Sequence, residues 1–228
     1  LEIYLKAIKK KYFSPLILIC NKNELQQQMK IVGIKKKIKQ LGIKDINKMK
    51  LDNKNINLIN VELKKSLNKK NNIIYSNEYI KNSFELAFQL MKYNYCYKLV
   101  NGPINKNTFL KKKFLGITEY ISQKFHIKKT GMLIYNKNLS VCPVTTHLPI
   151  KLVAKKVTKK LINEKIEIIN SFFKKNMKLK PKIGVVGLNP HCESILKFNE
   201  DEKIISSVIK SSIQKKINIR GPFPADTI

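Results

Sequence analysis

The stretch KIGVVGLNPHCE, residues 182–193, decides the predicted fold. Its apolar run over 183–186 is mostly β-branched, which predicts a buried strand of a parallel sheet. Gly187 ends the run and the Asn-Pro pair at 189–190 predicts a turn, so His191 follows the carboxyl end of the strand. Ligands of open α/β sheets bind at that end of the strands. His191 is therefore a candidate metal ligand or acid–base group.

Strand and helix patterns alternate through the rest of the chain. The predicted strands are Pro15–Cys20, Asn57–Val61, Lys98–Val100, the pair Met132–Tyr135 and Leu139–Val144, and Lys182–Val186. The predicted helices are Leu1–Tyr12, Asn23–Lys30, Asn77–Tyr93 with Asn77 as its cap, Thr108–Lys113, Thr118–Phe125, Pro149 to about Lys160, Leu161–Met177 and Glu200–Lys216. The last residues, Arg220–Ile228, predict a proline-rich turn segment. This order predicts an α/β fold with a mostly parallel central sheet and flanking helices.

The composition limits the function classes. A chain of 228 residues with 43% hydrophobic residues can bury one large core or two small ones. The formal net charge of +31 invites a nucleic-acid role, but Arg220 is the only arginine among 46 basic residues. The lysines are spread along the chain together with many Asn and Ile, the residues of AT-rich codons. We therefore expect no nucleic-acid partner.

The location is predicted to be the cytoplasm. The longest apolar run, near Pro15–Cys20, is too short to span a bilayer, and no basic-apolar leader opens the chain. The four cysteines form no CxxC pair, which suits a reducing compartment better than a disulfide framework or a zinc knuckle. The first residue is Leu1 rather than methionine, so we expect the amino terminus to be incomplete.

A second histidine has the same setting as His191. His147 follows the predicted strand Leu139–Val144 and lies just before a proline. The two histidines are too far apart for a local zinc motif, so a shared metal site has to be assembled by the fold. Asp226 is a candidate for a further ligand, as is a residue outside this chain. His126 ends a lysine-rich helix and is predicted to be a solvated surface residue.

Three other residues on predicted turns could contact a substrate. Lys106 and the hydroxyl of Thr118 suit a phosphate or carboxylate, and Asp226 suits a substrate hydroxyl or a metal. No GxGxxG motif follows the first strand, and neither a GxSxG elbow nor a P-loop is present. A standard dinucleotide fingerprint, a serine hydrolase and a P-loop nucleotidase are therefore not indicated.

Five short motifs together resemble one enzyme family. They are NGPINK at 101–106, GITEYIS at 116–122, VTTHLPIKLV at 144–153, VGLNPHCE at 186–193 and GPFPADT at 221–227. In this order they are similar to the 4-hydroxythreonine-4-phosphate dehydrogenase family of vitamin B6 (pyridoxal phosphate) biosynthesis. The resemblance extends over nearly the whole chain.

The resemblance implies a fold, an assembly and a reaction. It implies an isopropylmalate/isocitrate-dehydrogenase-like fold and a homodimer whose active site lies at the subunit interface. It implies NAD- or NADP-dependent oxidation of 4-phosphooxy-L-threonine and its decarboxylation to 3-amino-2-oxopropyl phosphate. The family's metal histidines correspond to His147 and His191, which would bind a divalent ion such as Zn, Mg or Co. The family's substrate-contacting pair corresponds to Ile117 and Thr118.

The chain departs from the family pattern at three places. Ile117 stands where the family usually has a histidine, and Cys192–Asn199 replaces a glycine-rich run. The family also continues past the PADT motif with a third metal histidine. We therefore expect residues 1–228 to be part of a dehydrogenase that lacks both ends, and to be inactive alone. Two alternatives stay open: a paralogue that oxidises phosphorylated four-carbon sugar acids (phospho-threonate or phospho-erythronate), and a basic binding protein that has lost catalysis.

Overall fold

A computed structural model describes residues 1–10, 14–111, 113–193 and 198–226 of the chain. The chain divides into two compact units. Unit 1 is Leu1–Lys112 and unit 2 is Lys113–Ile228. Each unit contains a parallel sheet with helices packed against it.

Unit 1 is built on a three-stranded parallel sheet. The strands are β1 (Ile17–Cys20), β2 (Ile38–Gln40) and β3 (Ile56–Asn60), in the order β1-β3-β2. The central strand β3 is buried from Ile56 to Ile59, as expected for a strand with neighbours on both edges and apolar residues in succession. Both pairings are parallel, so the chain must cross over between each pair of strands.

Three of the described helices of unit 1 begin at an asparagine side-chain cap. The helices are α1 (Glu2–Ala7), α2 (Lys22–Val32), α3 (Lys69–Lys92) and α4 (Lys106–Phe109), with a 3₁₀ turn at Ile43–Lys48. The side chain of Asn21 accepts the amide hydrogen of Glu24 at the start of α2, and Gly33 ends that helix in the left-handed conformation. Helices α1 and α2 cover one face of the sheet through an apolar cluster that comprises Leu5, Cys20, Leu25, Met29, Ile56 and Leu58.

The described residues of unit 2 form a two-stranded parallel sheet and four α-helices. The strands are β4 (Ile183–Val186) and β5 (Ile219–Phe223). The helices are α5 (Ile117–Lys124), α6 (Ile150–Lys156), α7 (Lys159–Phe172) and α8 (Ser207–Gln214). A π-helical turn, Phe173–Met177, extends α7, and another, Asp201–Ser206, leads into α8.

The core of unit 2 lies between the last helices and the sheet. Thr158 caps α7, which then directs Ile162 and Ile166, one helical turn apart, toward α8. The buried members of this cluster are Val157, Ile162, Ile166, Ile205, Val208, Ile209 and Ile219. The segment that carries the decisive motif is therefore held by apolar packing from α7, α8 and β5.

The predicted fold class is confirmed in its coarse form. The protein is α/β, and every pairing between the described strands is parallel. The expectation of one central sheet is wrong for the described residues, whose strands form a three-stranded and a two-stranded sheet, one in each unit. No helix in the described part of the chain is long and apolar enough to cross a membrane.

Several predicted strands need correction. Lys98–Val100 is irregular, with Val100 94% exposed. The pair Met132–Tyr135 and Leu139–Val144 shows a single antiparallel bridge, between Ile134 and Val141. The strand at 183–186 is present but alternates between partial burial and exposure, because its sheet has only two strands. Conversely, the segment after 219, predicted as a turn, begins with strand β5.

Some helix boundaries also differ. The first helix ends at Ala7 rather than Tyr12, which lies outside the described residues. Helix α3 starts at Lys69 with Asn68 as its cap, so Asn77 lies inside the helix, where its side chain donates to the Thr108 carbonyl. The helix expected at Thr108–Lys113 is the single turn α4. Helices α6 and α7 are separated at 157–158, where the backbone is extended.

The β4–β5 pairing depends on the absence of a side chain at Gly221. Its φ of +131° lies in a region that L residues rarely adopt, and a Cβ there would collide with the main-chain oxygen of Val185. We expect Gly221→Ala to lower the free energy of unfolding by about 3 kcal/mol. Urea unfolding followed by circular dichroism measures this. Gly102→Ala is the control, because a Cβ on Gly102 meets nothing within 4 Å; equal stability of the two variants would contradict the prediction.

Candidate functional site

The candidate site lies at the carboxyl ends of β4 and β5. Because the two strands are parallel neighbours, the turns that follow them leave the sheet at the same edge. The amide of Gly187 donates to the Phe223 carbonyl over 2.9 Å, which keeps the strands together up to their last residues. The turn after β4 carries His191, and the turn after β5 carries Asp226.

His191 and Asp226 face each other across this edge. The distance from Nδ1 of His191 to Oδ2 of Asp226 is 3.9 Å, and the two side chains are 70% and 60% exposed. This is too long for a hydrogen bond and suits an ion pair when the imidazole is protonated. Two ligands of one zinc ion, each about 2 Å from it, lie roughly 3–3.5 Å apart, so a small side-chain movement would let both contact a single cation.

The turn before His191 is held by a buried carboxylate. Asp201, only 1% exposed, accepts the amide hydrogen of Leu188 at 2.6 Å and that of Asn189 at 3.0 Å. Its Oδ2 also accepts from the side-chain amide of Asn189 at 2.9 Å. Such charge-assisted hydrogen bonds from main-chain amides are strong, so they fix the path of the chain just before Pro190 and His191.

The backbone at His191 is left-handed. His191 has φ 56° and ψ 12°, and Cys192 also has a positive φ of 59°. The amide of Cys192 donates to the Asn189 carbonyl at 3.1 Å and that of Glu193 to the Pro190 carbonyl at 3.2 Å, which closes the turn. Non-glycine residues adopt this conformation only when neighbouring contacts impose it, as they do here.

The Cys192 thiol lies close to Gly187. A Cβ on Gly187 would come within 2.6 Å of the Cys192 sulfur and 2.9 Å of Oδ1 of Asp201. Burial raises the pKa of the Cys192 thiol, and the carboxylates of Asp201, Asp226 and Glu193 raise it further, although a hydrogen bond with the Gly187 backbone acts in the opposite direction. The thiol is therefore a packed neutral group rather than a ready nucleophile.

His147 lies beside the start of α5. It is exposed, with a left-handed φ of 56°, and its Nε2 is 3.9 Å from the position that a Cβ on Gly116 would take. Oε2 of Glu119 approaches the same position to 2.9 Å, and within the described residues this buried oxygen has no hydrogen-bond partner. The bare backbone of Gly116 thus lets a carboxylate and an imidazole approach the first turn of α5.

The backbone before His147 differs from the predicted strand Leu139–Val144. No parallel strand leads to this residue; it follows the bridged hairpin and precedes Pro149, the cap of α6. His147 and His191 therefore do not end equivalent strands, contrary to the prediction. Their sharing of one ion stays a prediction.

The other predicted substrate residues lie on helix starts. Ile117 and Thr118 are the first two residues of α5; Ile117 is half-buried and Thr118 exposed. Lys106 is exposed at the first residue of α4, in unit 1. Asn105 caps that helix by accepting the Thr108 amide hydrogen, which fixes the place from which Lys106 extends.

The candidate site offers the atom types that bind a divalent ion, but the described residues do not bring enough of them together. His147, His191 and Asp226 offer imidazole nitrogen and carboxylate oxygen, which bind zinc and related metals. Among residues 1–10, 14–111, 113–193 and 198–226, no group of three or more His, Cys, Asp or Glu side chains is arranged to hold a metal. The described residues thus offer metal-binding atom types without a complete set of metal ligands.

Two carboxylates of unit 2 carry no functional signal in the sequence. Asp201 lies in the predicted helix Glu200–Lys216, and Glu119 lies in the predicted helix Thr118–Phe125. An acidic residue in the first turn of a helix is common, because it complements the helix dipole, so neither position stands out in one sequence. Their roles depend on contacts with residues 13 and 3 positions away, respectively.

Comparisons with known proteins decide the family. The family model described as "Pyridoxal phosphate biosynthetic protein PdxA" matches residues 11–228. The chain belongs to the PdxA family. The resemblance inferred from the five motifs is thereby confirmed.

Relatives in the PdxA family carry the name of an oxidoreductase. A 4-hydroxythreonine-4-phosphate dehydrogenase from Sulfurihydrogenibium sp. (strain YO3AOP1) is 30% identical over 235 residues, covering 99% of this chain and 70% of that protein. A protein of the same name from Bacteroides thetaiotaomicron is 36% identical over 133 residues, covering 56% of this chain and 36% of that protein. The chain is thus a member of an enzyme family, and it spans part of the length of these relatives.

Solved structures of PdxA relatives share the fold. A 4-hydroxythreonine-4-phosphate dehydrogenase from Burkholderia phymatum matches with a TM-score of 0.78 and 23% identity, covering 99% of this chain and 70% of that one. The corresponding structure from Klebsiella pneumoniae matches with a TM-score of 0.75 and 20% identity, covering 100% and 72%.

The close packing around Gly187 predicts the effect of a methyl group there. Gly187→Ala would push Cys192 and Asp201 apart from the end of β4, so we expect the free energy of unfolding to fall by about 1–3 kcal/mol. Urea unfolding measures the change, with Gly102→Ala again as the control. A Gly187→Ala protein as stable as the parent would show that this packing is looser than described.

Proposed function

We propose that this protein is a 4-hydroxythreonine-4-phosphate dehydrogenase. It would transfer hydride from the secondary alcohol of 4-phosphooxy-L-threonine to NAD⁺ or NADP⁺ and release the alcohol proton. The resulting β-keto acid would then lose carbon dioxide and take up a proton, which gives 3-amino-2-oxopropyl phosphate, an intermediate of pyridoxal phosphate biosynthesis. The observation that carries this proposal is the PdxA family match over residues 11–228.

The residues at the β4–β5 edge support an acid–base and metal role. His191 and Asp226 are exposed and 3.9 Å apart, so either can take the alcohol proton as hydride leaves. We propose His147 and His191 as ligands of one divalent ion, with Asp226 as a further ligand or a substrate contact. When bound, such an ion would act as a Lewis acid toward the substrate oxygen.

Substrate binding is proposed for residues on the first turns of α4 and α5. The exposed hydroxyl of Thr118 can hydrogen-bond to the substrate, and the ammonium group of Lys106 can bind its phosphate or carboxylate. Ile117 would contribute only apolar contact there.

The assembly and location are also proposals. A homodimer is supported by the hairpin at 132–141, which exposes five large apolar side chains: Met132, Ile134, Tyr135, Leu139 and Val141. Exposed apolar patches of this kind often mark protein–protein interfaces. A fold like that of isopropylmalate dehydrogenase would suit such a dimer. A cytoplasmic location is supported by the four cysteines, all of which are unpaired.

One observation favours a second candidate function. The side chain of Ile117 cannot donate or accept a hydrogen bond, whereas the family usually has histidine there. A change of one polar contact can change which substrate is preferred, and a phosphorylated four-carbon sugar acid, such as phospho-threonate or phospho-erythronate, differs from 4-phosphooxy-L-threonine in carrying a hydroxyl in place of the amino group. The reaction class is the same in both cases.

Metal uptake tests the proposed ion site. We expect the natural full-length protein to bind Co²⁺, and His147→Ala and His191→Ala each to weaken binding at least about 10-fold, because each removes a ligand. Isothermal titration calorimetry of metal-free protein measures the affinity. His126→Ala is the matched control, since His126 has the same left-handed backbone, with φ 54°. An equal loss in the control, or no Co²⁺ binding by the parent, would refute the ion site.

Substitution of Ile117 tests the substrate. If 4-phosphooxy-L-threonine is the substrate, we expect Ile117→His to raise kcat/KM for it about 10-fold by adding a hydrogen bond, and Ile117→Val to leave it nearly unchanged. NADH formation is followed in parallel with phospho-threonate and phospho-erythronate. A parent protein that prefers a sugar acid, and an Ile117→His variant that loses activity toward it, would favour the second function.

A further inference from the structure

Asp201 is a buried carboxylate with an unusual set of partners. Among the described residues it is the only Asp or Glu that is fully buried, at 1% exposure. A buried carboxylate is costly unless it is paired or fully hydrogen-bonded. Within the described part of the chain no lysine or arginine forms an ion pair with it. Its negative charge is compensated by N–H donors instead.

All three described donors to this carboxylate come from one turn. They are the main-chain amides of Leu188 and Asn189, at 2.6 and 3.0 Å, and the Asn189 side-chain amide, at 2.9 Å. Both carboxylate oxygens are used, so the group cannot rotate without losing contacts. The residues that it holds immediately precede Pro190 and His191.

Asp201 is itself held in place by hydrogen bonds and by the core of unit 2. The Asp201 amide donates to Oδ1 of Asn199 at 2.9 Å, and its carbonyl accepts the Ser206 hydroxyl at 2.9 Å. The helical segment that it begins is anchored in the core of unit 2 through Ile205, Val208 and Ile209. The turn is therefore tied to the packed core rather than to another surface loop.

The His191 side chain needs such a support. It is 70% exposed, so packing does little to orient it, and its direction follows from the backbone of the turn. The turn is closed by the hydrogen bond from the Cys192 amide to the Asn189 carbonyl, at 3.1 Å. A shift of Asn189 would therefore move His191 relative to Asp226.

We propose that Asp201 is a positioning residue for His191: its carboxylate holds the Leu188–Asn189 amides and thereby aims the imidazole at Asp226. Its consequence for metal binding rests on the proposed function, whereas the hold on the turn does not. Asp201 contacts neither a substrate nor a metal in this role. It acts through the turn alone.

Two variants and a matched control test this role in the natural full-length protein. Asp201→Asn keeps the shape but replaces one acceptor oxygen by a donor, so one amide of the turn loses its partner. Asp201→Glu keeps the charge and both acceptors. Glu202→Gln is the matched control, because it removes the charge of the neighbouring residue. The Glu202 side chain is 67% exposed and has no part in the turn.

The first readout needs no metal. In Asp201→Asn we expect hydrogen exchange at Leu188 and Asn189 to be at least about 10-fold faster, with little change in β5 and α8, because the opening is local. The imidazole NMR signals of His191 should shift while those of His147 and His126 stay. Asp201→Glu should restore most of both properties, and Glu202→Gln should match the parent. Uniformly faster exchange across unit 2 with unmoved His191 signals would overturn the proposal, since it indicates a purely structural role.

The second readout connects the turn to the ion. Co²⁺ affinity should fall about 10-fold in Asp201→Asn, the range found when a ligand's supporting hydrogen bonds are removed, and recover in Asp201→Glu. Unchanged affinity despite a loosened turn would overturn the proposal. If the parent binds no Co²⁺, the ion site fails, and the exchange and NMR readouts alone decide the role of Asp201.

A milder variant covers the case in which Asp201→Asn does not fold. Asn189→Ala removes the side-chain donor to Asp201, together with its 3.3 Å hydrogen bond to Oε2 of Glu200, and leaves both main-chain amides in place. We expect a smaller, local rise in exchange at Leu188 and a shift of the His191 signals. No change in either would overturn the proposal.

Discussion

The parallel pairing of β4 with β5 is the contact on which the candidate site depends. It brings two turns that are 35 residues apart in the chain, at His191 and Asp226, to one edge of the sheet. The pairing requires a bare backbone at Gly221 opposite Val185, and it is supported by the apolar core beneath α7 and α8. Two polar groups can then stay exposed and close together, because the elements behind them are packed.

The strong periodic patterns predicted much of this fold. The strand at 183–186, the helix that ends at Gln214 and the Asn-Pro turn all follow from local sequence. Strand β5 did not, because its Gly-Pro pair indicates a turn and only pairing with β4 makes it a strand. The opposite error occurred at Leu139–Val144, where β-branched residues favour a strand but the described chain provides one bridged partner.

The residues of the candidate site also divide into those that the local sequence indicates and those that only tertiary contacts reveal. The sequence singled out the histidines at 147 and 191 because each follows a predicted strand and lies near a proline. The supporting carboxylate of Asp201 was not predicted, because Asp201 is an ordinary first-turn acid until the tertiary structure puts it beside the turn before His191. In a single sequence, groups that could touch a ligand carry a recognisable pattern, whereas groups that hold them in place do not.

The left-handed backbone shared by His126, His147 and His191 restricts which amino acids can replace these residues during evolution. Asn, Asp and Gly tolerate that conformation best, and β-branched residues worst. Codons for Asn and Asp differ from those for His by one base, and an AT-rich gene favours Asn. Mutational loss of an imidazole at these turns would therefore most readily leave an amide or carboxylate side chain in the same place.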